Sequence, residues 1–575
     1  MGTLSNNEAI IFVQNNVEGD VVVCNEGVSF WGGVDPDTGV IIDTHHPNCG
    51  EQLSGKIVLM PTSRGSCSGS GVLLQLAQNG NAPAALVFRE TEDILTLGAM
   101  IAERLFNKKI AILRLKSNIY NLLSVQKSAK IDNLKLNFSS TLINLSQPDL
   151  SSIYLNNSDK KMLAGNHGKA TKIAMEILCL MAASQNADKL IDVSRGHIDG
   201  CILAHDANLN FAEKMLDMDA RVIIPTTINA ISVDRDNWKS QAVAPELGNK
   251  ASRLADAYVK MGAHPTFTCA PYLLSEKPIK DEVIGWSESN AVIYANSVIG
   301  ARTQKHPDYL DLFIAMTGRT PNTGVYLEEN RKPSCEIRIS LPLKFDESIW
   351  PMIGWLAGYK SPNGIPVLIG LEDISLSNDD LKALCAAFGT TSASPMLHIK
   401  GHTPEGELPS TQDAISTTIM PNDLLNLWQK FNTGNNKIDL VAIGSPHASP
   451  TECMKFLKLL LEKNQTVVVP TILTVGRETL AKLRDHENLN HLSILGVQVI
   501  PDICWCSITE PVFPSKTQSL ITNSGKYAHY GEGLTGRNIR FGSLKKKLQL
   551  YLNKNHHPAF LHLEKSWKWS LRLEK

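Results

Sequence analysis

The sequence predicts an α/β protein with parallel sheets, divided into a small N-terminal unit and a larger, multi-lobed remainder. Three observations lead there. At 575 residues the chain is too long for one hydrophobic core and should split into about three or four lobes. Residues 1–146 alternate short apolar runs with helical patterns. Residues 439–501 run strand, helix, strand, helix, strand, the pattern of parallel strands joined by right-handed crossovers.

In the N-terminal unit, strand-like runs fall at residues 20–24, 56–60, 84–88 and 109–113, and helical spacing fits residues 71–78 and 92–106. A polar, proline-containing stretch at 146–152 is the expected linker to a large part spanning 153–543. That part opens with a helix capped near Ser158 and running through residues 173–183. Its clearest set is strand 439–444, helix 451–463, strand 466–470, helix 477–485 and strand 497–501. Ligands of such sheets sit beyond the carboxyl ends of the strands, next to Gly444-Ser445-Pro446-His447 and Asp502-Ile503-Cys504-Trp505-Cys506. The end, residues 544–575, is rich in Lys and Trp and poor in acids, and reads as a solvated terminal segment.

Composition narrows the function classes. A hydrophobic content of 43% with 20% charged residues is that of an ordinary globular protein, and a net charge of -1 gives no global attraction to nucleic acid or an anionic membrane. No apolar run reaches the ~20 residues needed to cross a bilayer, and the start lacks a basic n-region. The 11 cysteines lack paired spacing, unlike a secreted disulfide scaffold, so a reducing cytoplasm is the expected compartment.

The segment PTSRGSCSGSGVLLQ, residues 61–75, lies between an apolar strand and a helix. Its small residues let backbone N–H groups converge beside a helix N-terminus, a place that favours an anion or an alkoxide. On its own such a loop also suits a plain helix cap. Cys269 ends a strand-like run before a proline turn, Cys504 and Cys506 follow a strand end, and Cys453 lies about one turn into the helix after the GSPH loop. No C-x-x-C pair occurs, so a structural zinc site is not expected, and each thiol reads as a buried apolar group or as part of a cluster built from distant cysteines. Polar loops at 194–201 and 286–291 suggest binding turns or helix caps. The turn at 522–530 holds a Gly-Lys pair suited to an anion but lacks the upstream glycine of a Walker A loop.

Taken together, HIDGC, PTTINA, TCAPYLL, WSESNAVIYANSVIGAR, HTPEG, GSPHAS and TNSGKYAHY, with the serine loop, resemble the aconitase X branch of the aconitase superfamily, in the family's order and up to about residue 543. The resemblance implies an aconitase-like fold with an N-terminal swivelling α/β domain (residues 1–146) fused to the large catalytic part. It also implies one of two activities. Fused chains of the family are cis-3-hydroxy-L-proline dehydratases, and two-subunit forms are mevalonate 5-phosphate dehydratases. In the two-subunit class three cysteines hold an iron–sulfur cluster; Cys269 and Cys504 match the first and third, whereas Ser445 stands at the second. The departure favours the fused class with its [2Fe–2S] cluster. Cys453 is the expected replacement ligand, with Cys67 as a second candidate.

The same resemblance makes Ser66 the proton acceptor, with Arg64 helping to stabilise its alkoxide. It sets Gly200, Cys201, Asn229, Ser289, Asn290, Gly525 and Lys526 around the substrate, Lys526 being the expected partner of the substrate carboxylate. The expected protein is a monomer or small homo-oligomer acting on a small hydroxylated imino acid, with neither nucleic acid nor membrane as partner. From a different class, a non-catalytic iron–sulfur protein that binds RNA is the alternative; the near-neutral charge disfavours it.

Overall fold

The computed structural model describes residues 8–434, 437–463 and 466–544. The predicted tail lies almost wholly outside the described residues.

The N-terminal unit is one eight-stranded sheet. Its parallel half pairs Val17–Val23, Ile57–Met60, Ala85–Phe88 and Ala111–Leu115 in that order, with Ala9–Val13 antiparallel at the edge. The strands Ile57–Met60 and Ala85–Phe88 are buried along their whole length, as expected for a sheet covered on both faces. Antiparallel strands Ser128–Asp132, Lys135–Phe138 and Thr141–Asn144 extend the other side. Helices Gly69–Asn79 and Ile94–Phe106 lie together against the sheet. Their approach requires Gly98, where a Cβ would stand 2.8 Å from the Ser70 carbonyl oxygen.

Beyond the linker, four further sheets appear among the described residues: one antiparallel pair, Leu190–Asp192 with Arg319–Pro321, and three parallel sheets. Thr226–Ile228, Gly196–Ile198 and Gly285–Trp286 form a short parallel sheet. His398–Ile399, Pro366–Ile369, Cys335–Ile339 and Ile415–Ile419 form a second. Val497–Pro501, Thr471–Val475, Leu440–Ile443, Ser519–Thr522 and Asn538–Phe541 form a third, five strands wide and wholly parallel. Residues around its carboxyl ends carry much of the chemistry described below.

Three expectations change. The strand expected at 466–470 falls instead at Thr471–Val475. Both runs are β-branched and apolar, but TILTV is fully buried while Val468 is 51% exposed. The helix expected to run unbroken from Ser158 is two helices, Asn157–Leu163 and Lys169–Ser184, because Gly165 and Gly168 turn the chain at φ of 83° and 94°. Its cap is Asn156, which forms a capping box with Asp159. The segment before Cys269 is irregular, held by a bond from the Thr268 amide to the Ile228 carbonyl at 3.1 Å.

Candidate active site

The Ser66 loop leaves the buried strand Ile57–Met60 and enters the helix Gly69–Asn79. Gly65 turns the chain at φ 94°, where a Cβ would collide with the Ser29 hydroxyl at 2.4 Å. The Ser66 hydroxyl oxygen accepts the Ser68 amide at 3.3 Å and lies 3.4 Å from the Ser68 hydroxyl. It is half-buried at the helix N-terminus, in a field that favours an alkoxide. Arg64 does not face it: its guanidinium reaches Glu26 at 3.3 Å and Asp43 at 3.2 Å on its own domain.

This loop docks directly on the large part. The Asp308 amide donates to the Cys67 carbonyl at 3.3 Å, and the Ser70 hydroxyl donates to the Asp308 carbonyl at 3.2 Å. The Cys67 thiol donates to Asp199 at 3.3 Å and lies 3.8 Å from the Ser287 carbonyl. Cys67, Asp199 and Asp308 thus offer donor atoms within 4.8 Å of one another, all buried. Burial and the Asp308 and Asp199 carboxylates push the Cys67 thiol well up.

Beyond Ser287, the next residue organises the cleft. Glu288 is ion-paired with Lys526 at 2.8 Å, and it accepts from Asn229 at 3.4 Å and from the Asn290 side chain. Burial would raise its carboxyl, but the Lys526 ammonium holds it below the usual range. Asn229 also donates to Asp199. Asn290 accepts the Tyr272 hydroxyl at 2.8 Å and donates to the Cys269 carbonyl at 3.0 Å, so the amide that faces Glu288 also fixes a cysteine. Ser289 opens the short helix Ser289–Tyr294. Gly200 packs on the Tyr309 ring, and the buried Cys201 thiol donates to the Ile198 carbonyl at 3.3 Å, close to the Asp199–Asp311 acids. Lys526 is the second residue of the helix Gly525–Thr535, whose cap Ser524 accepts the Tyr527 amide at 3.0 Å. The turn expected at TNSGK is therefore a helix start. Gly525 is required there, since a Cβ would stand 2.8 Å from Pro351.

Three thiols meet beside Lys526. Cys269 and Cys504 form one small buried cluster with Ala230, against which Cys506 packs. Thiol hydrogen bonds from Cys269 and Cys506 hold Cys504 well below its usual range, with the Lys526 ammonium adding to the effect. Burial alone would lower Lys526, but Glu288 and these sulfurs hold it well up. The Cys504 segment is pinned by Asp502, whose carboxylate takes two bonds from Arg477 at 2.8 and 2.7 Å while its carbonyl accepts the Ile231 amide at 2.7 Å. The GSPH loop closes the other side, with the His447 amide on the Cys269 sulfur at 3.4 Å and the His447 ring on the Ile503 carbonyl at 2.8 Å. Ser445, buried in that loop, has a hydroxyl without a partner among the described residues.

Cys453 does not join this group. It lies on the inward face of the helix Pro450–Lys463, packed with Val441, Ile443, Phe456 and Leu460 in a separate apolar core, and burial pushes its thiol up. Cys506 stands where Cys453 was expected; the Cys-x-Cys spacing at 504–506 carried that signal in the sequence. Glu288 was equally visible, as the acid inside WSESNA, but nothing in its spacing marked it as the centre of the cleft.

Models of the aconitase X swivel domain, first domain, second domain and third domain match residues 7–137, 152–329, 333–429 and 438–551, in that order. The chain belongs to the aconitase X family. Among curated relatives, a cis-3-hydroxy-L-proline dehydratase of Hypocrea jecorina is 41% identical over 93% of each chain. One of Pseudomonas aeruginosa is 40% identical over 92% of this chain and 94% of its own. Among solved structures, the holo-form aconitase X of Thermococcus kodakaraensis superposes with a TM-score of 0.64 at 28% identity, covering 69% of this chain and all of that one. This aconitase X chain therefore has the family's fold with the swivelling domain first. Among its described residues no helix is long and apolar enough to cross a membrane.

Proposed function

We propose that this chain is a hydro-lyase that dehydrates cis-3-hydroxy-L-proline to Δ1-pyrroline-2-carboxylate. One observation carries the reading: likeness to two dehydratases of that name runs over more than nine-tenths of this chain and of theirs, swivelling domain included. The chemistry asks for a base at the α-carbon, a partner for the carboxylate and help for a poor leaving group.

Ser66 is the base we assign. It takes the α-proton; the C–H pair becomes the ring double bond, and the 3-hydroxyl leaves, combining with that proton as water. The enamine then tautomerises. A free serine is far too weak for this, so the helix N-terminus and the Ser68 amide must stabilise its alkoxide. Asn229, Ser289 and Asn290 are the polar groups we set around the ring, with Gly200, Cys201 and Gly525 shaping the pocket wall.

For the cofactor, we propose an iron–sulfur cluster, of [2Fe–2S] type, on Cys269, Cys504 and Cys506. The donor set fits such a group: three convergent thiols, one of them favoured as thiolate, and the unpartnered Ser445 hydroxyl in the facing loop. When bound, it would supply a Lewis acid for the departing hydroxyl. Lys526, between Glu288 and the thiols, balances the negative charge of that side. Arg64, tied to its own domain, keeps at most a long-range influence on Ser66. A cytoplasmic location, and action on a small molecule without nucleic acid or membrane, belong to the same reading.

The test is to purify the protein anaerobically, measure iron and sulfide, and assay cis-3-hydroxy-L-proline alongside mevalonate 5-phosphate. Turnover of the imino acid alone is expected. Turnover of the phosphorylated acid alone would replace this reading with the other activity of the family.

A further inference from the structure

We propose that Lys305, rather than Lys526, receives the substrate carboxylate at the carbon that loses its proton. This rests on the hydroxyproline reading and assigns a residue within its site.

Lys305 belongs to the loop from Arg302 to the helix Leu310–Thr317, and its neighbours on that loop are all tied down. The Thr303 hydroxyl accepts the Trp286 amide at 3.1 Å, and the Gln304 side chain donates to the Thr323 carbonyl at 2.6 Å. The His306 ring meets the Tyr326 hydroxyl at 2.8 Å, and the Asp308 amide bonds to the Cys67 carbonyl at 3.3 Å. Lys305 alone has a half-buried side chain with no hydrogen bond or ion pair among the described residues. The Asp308 amide on Cys67 and the Trp286 amide on Thr303 hold this loop between the Ser66 loop and the segment that leads to Glu288, and burial pulls the Lys305 ammonium down from its usual value against the opposing pull of Cys67 and Glu288. A partly buried cation with no ion-pair partner among the described residues is open to one, and a bound carboxylate would supply it.

Lys526 is differently placed. Its charge is already committed to Glu288 at 2.8 Å, and it faces the thiols. In the substrate the carboxylate sits on the carbon attacked by Ser66, and the departing hydroxyl sits on the next carbon. If Ser66 and the thiols mark the two ends, the carboxylate belongs to the cation nearer Ser66. Charge also builds on that carboxylate as the α-proton leaves, so a cation there stabilises the transition state as well as the bound substrate.

The test uses holoenzyme and two planar probes, pyrrole-2-carboxylate and its uncharged analogue pyrrole-2-carboxamide, with affinities read by calorimetry. Wild type should prefer the carboxylate. Lys305→Met should lose that preference by on the order of 10²-fold, leaving the carboxamide little changed, and Lys305→Arg should recover part of it. Lys526→Met should keep the preference. Iron content and visible spectrum serve as the folding control for each variant. The proposal is overturned if wild type shows no preference, if Lys305→Met weakens both probes alike or neither, or if the preference disappears in Lys526→Met instead. Wild type that fails to turn over cis-3-hydroxy-L-proline would sink the parent reading; wild type that turns it over while Lys305→Met keeps its preference would sink only this one.

Discussion

At Ser66 the chemistry turns on one proton. The hydroxyl accepts a backbone N–H at a helix start and, among the described residues, has no histidine or lysine within hydrogen-bond reach, so the local field must make it basic. Ser66→Ala should therefore leave iron content and fold intact and lower kcat by about 10²–10⁴-fold or more, read in a steady-state assay of imino-acid dehydration. Wild-type turnover by that variant would leave Ser66 as a helix cap. The thiols give a second residue-scale prediction. Cys269→Ser, Cys504→Ser and Cys506→Ser should each lose visible iron–sulfur absorbance, whereas Cys453→Ser should retain it, because its sulfur lies in the core beneath the helix Pro450–Lys463. A Cys453 variant without iron, beside a Cys506 variant with full iron, would reverse this assignment of the ligands.

At the scale of elements, the helix Gly69–Asn79 both creates the Ser66 site and docks it. Its Gly71 lies where a Cβ would stand 2.9 Å from the Tyr309 hydroxyl, which the Asn208 amide already holds at 3.0 Å. Farther along, Gln75 accepts the Ala207 amide at 2.8 Å and Gln78 accepts from Asn210 at 2.7 Å. Gly71→Leu should push the swivelling domain off Tyr309 and lower kcat/KM by roughly 10²-fold through misplacement of Ser66, with the iron content of the large part unchanged. Unaltered kcat/KM would mean that the seating of this helix does not govern the chemistry. This element was legible in the sequence because an apolar strand, a Gly/Ser loop and a short helix have sharp local signatures. The strand at 471–475 was not, because two adjacent β-branched runs compete and only tertiary burial chooses between them.

At the scale of the whole molecule, an N-terminal swivelling unit ahead of a larger α/β part was legible from motif order along the chain. Which thiols gather and which charges pair was not, since Cys506 rather than Cys453 packs beside Cys269 and Cys504, and Glu288 meets Lys526 only once distant segments converge. Packing between domains also sets a pH response. Asp93, at the junction where the Gln185 side chain donates to it at 2.9 Å, is pushed up to about 7 by burial and by Glu92. An acid raised in the folded state binds more protons there than in the unfolded chain. Its contribution to stability is therefore lost as pH rises from about 4 through about 7. Asp93→Asn should flatten that fall, so that the variant gains Tm relative to wild type at pH 8 and not at pH 5, as read by thermal melts. An unchanged difference at both pH values would remove Asp93 from the account.

The central claim is that this chain removes water from cis-3-hydroxy-L-proline. Incubating anaerobically purified, iron-replete protein with the cis and trans isomers separately, and following Δ1-pyrroline-2-carboxylate by NMR, tests it most directly. Product is expected from the cis isomer and little from the trans isomer, whose hydroxyl would project away from the thiol-lined side of the cleft. Equal turnover of both isomers, or none of either by protein that carries its full iron, would contradict it.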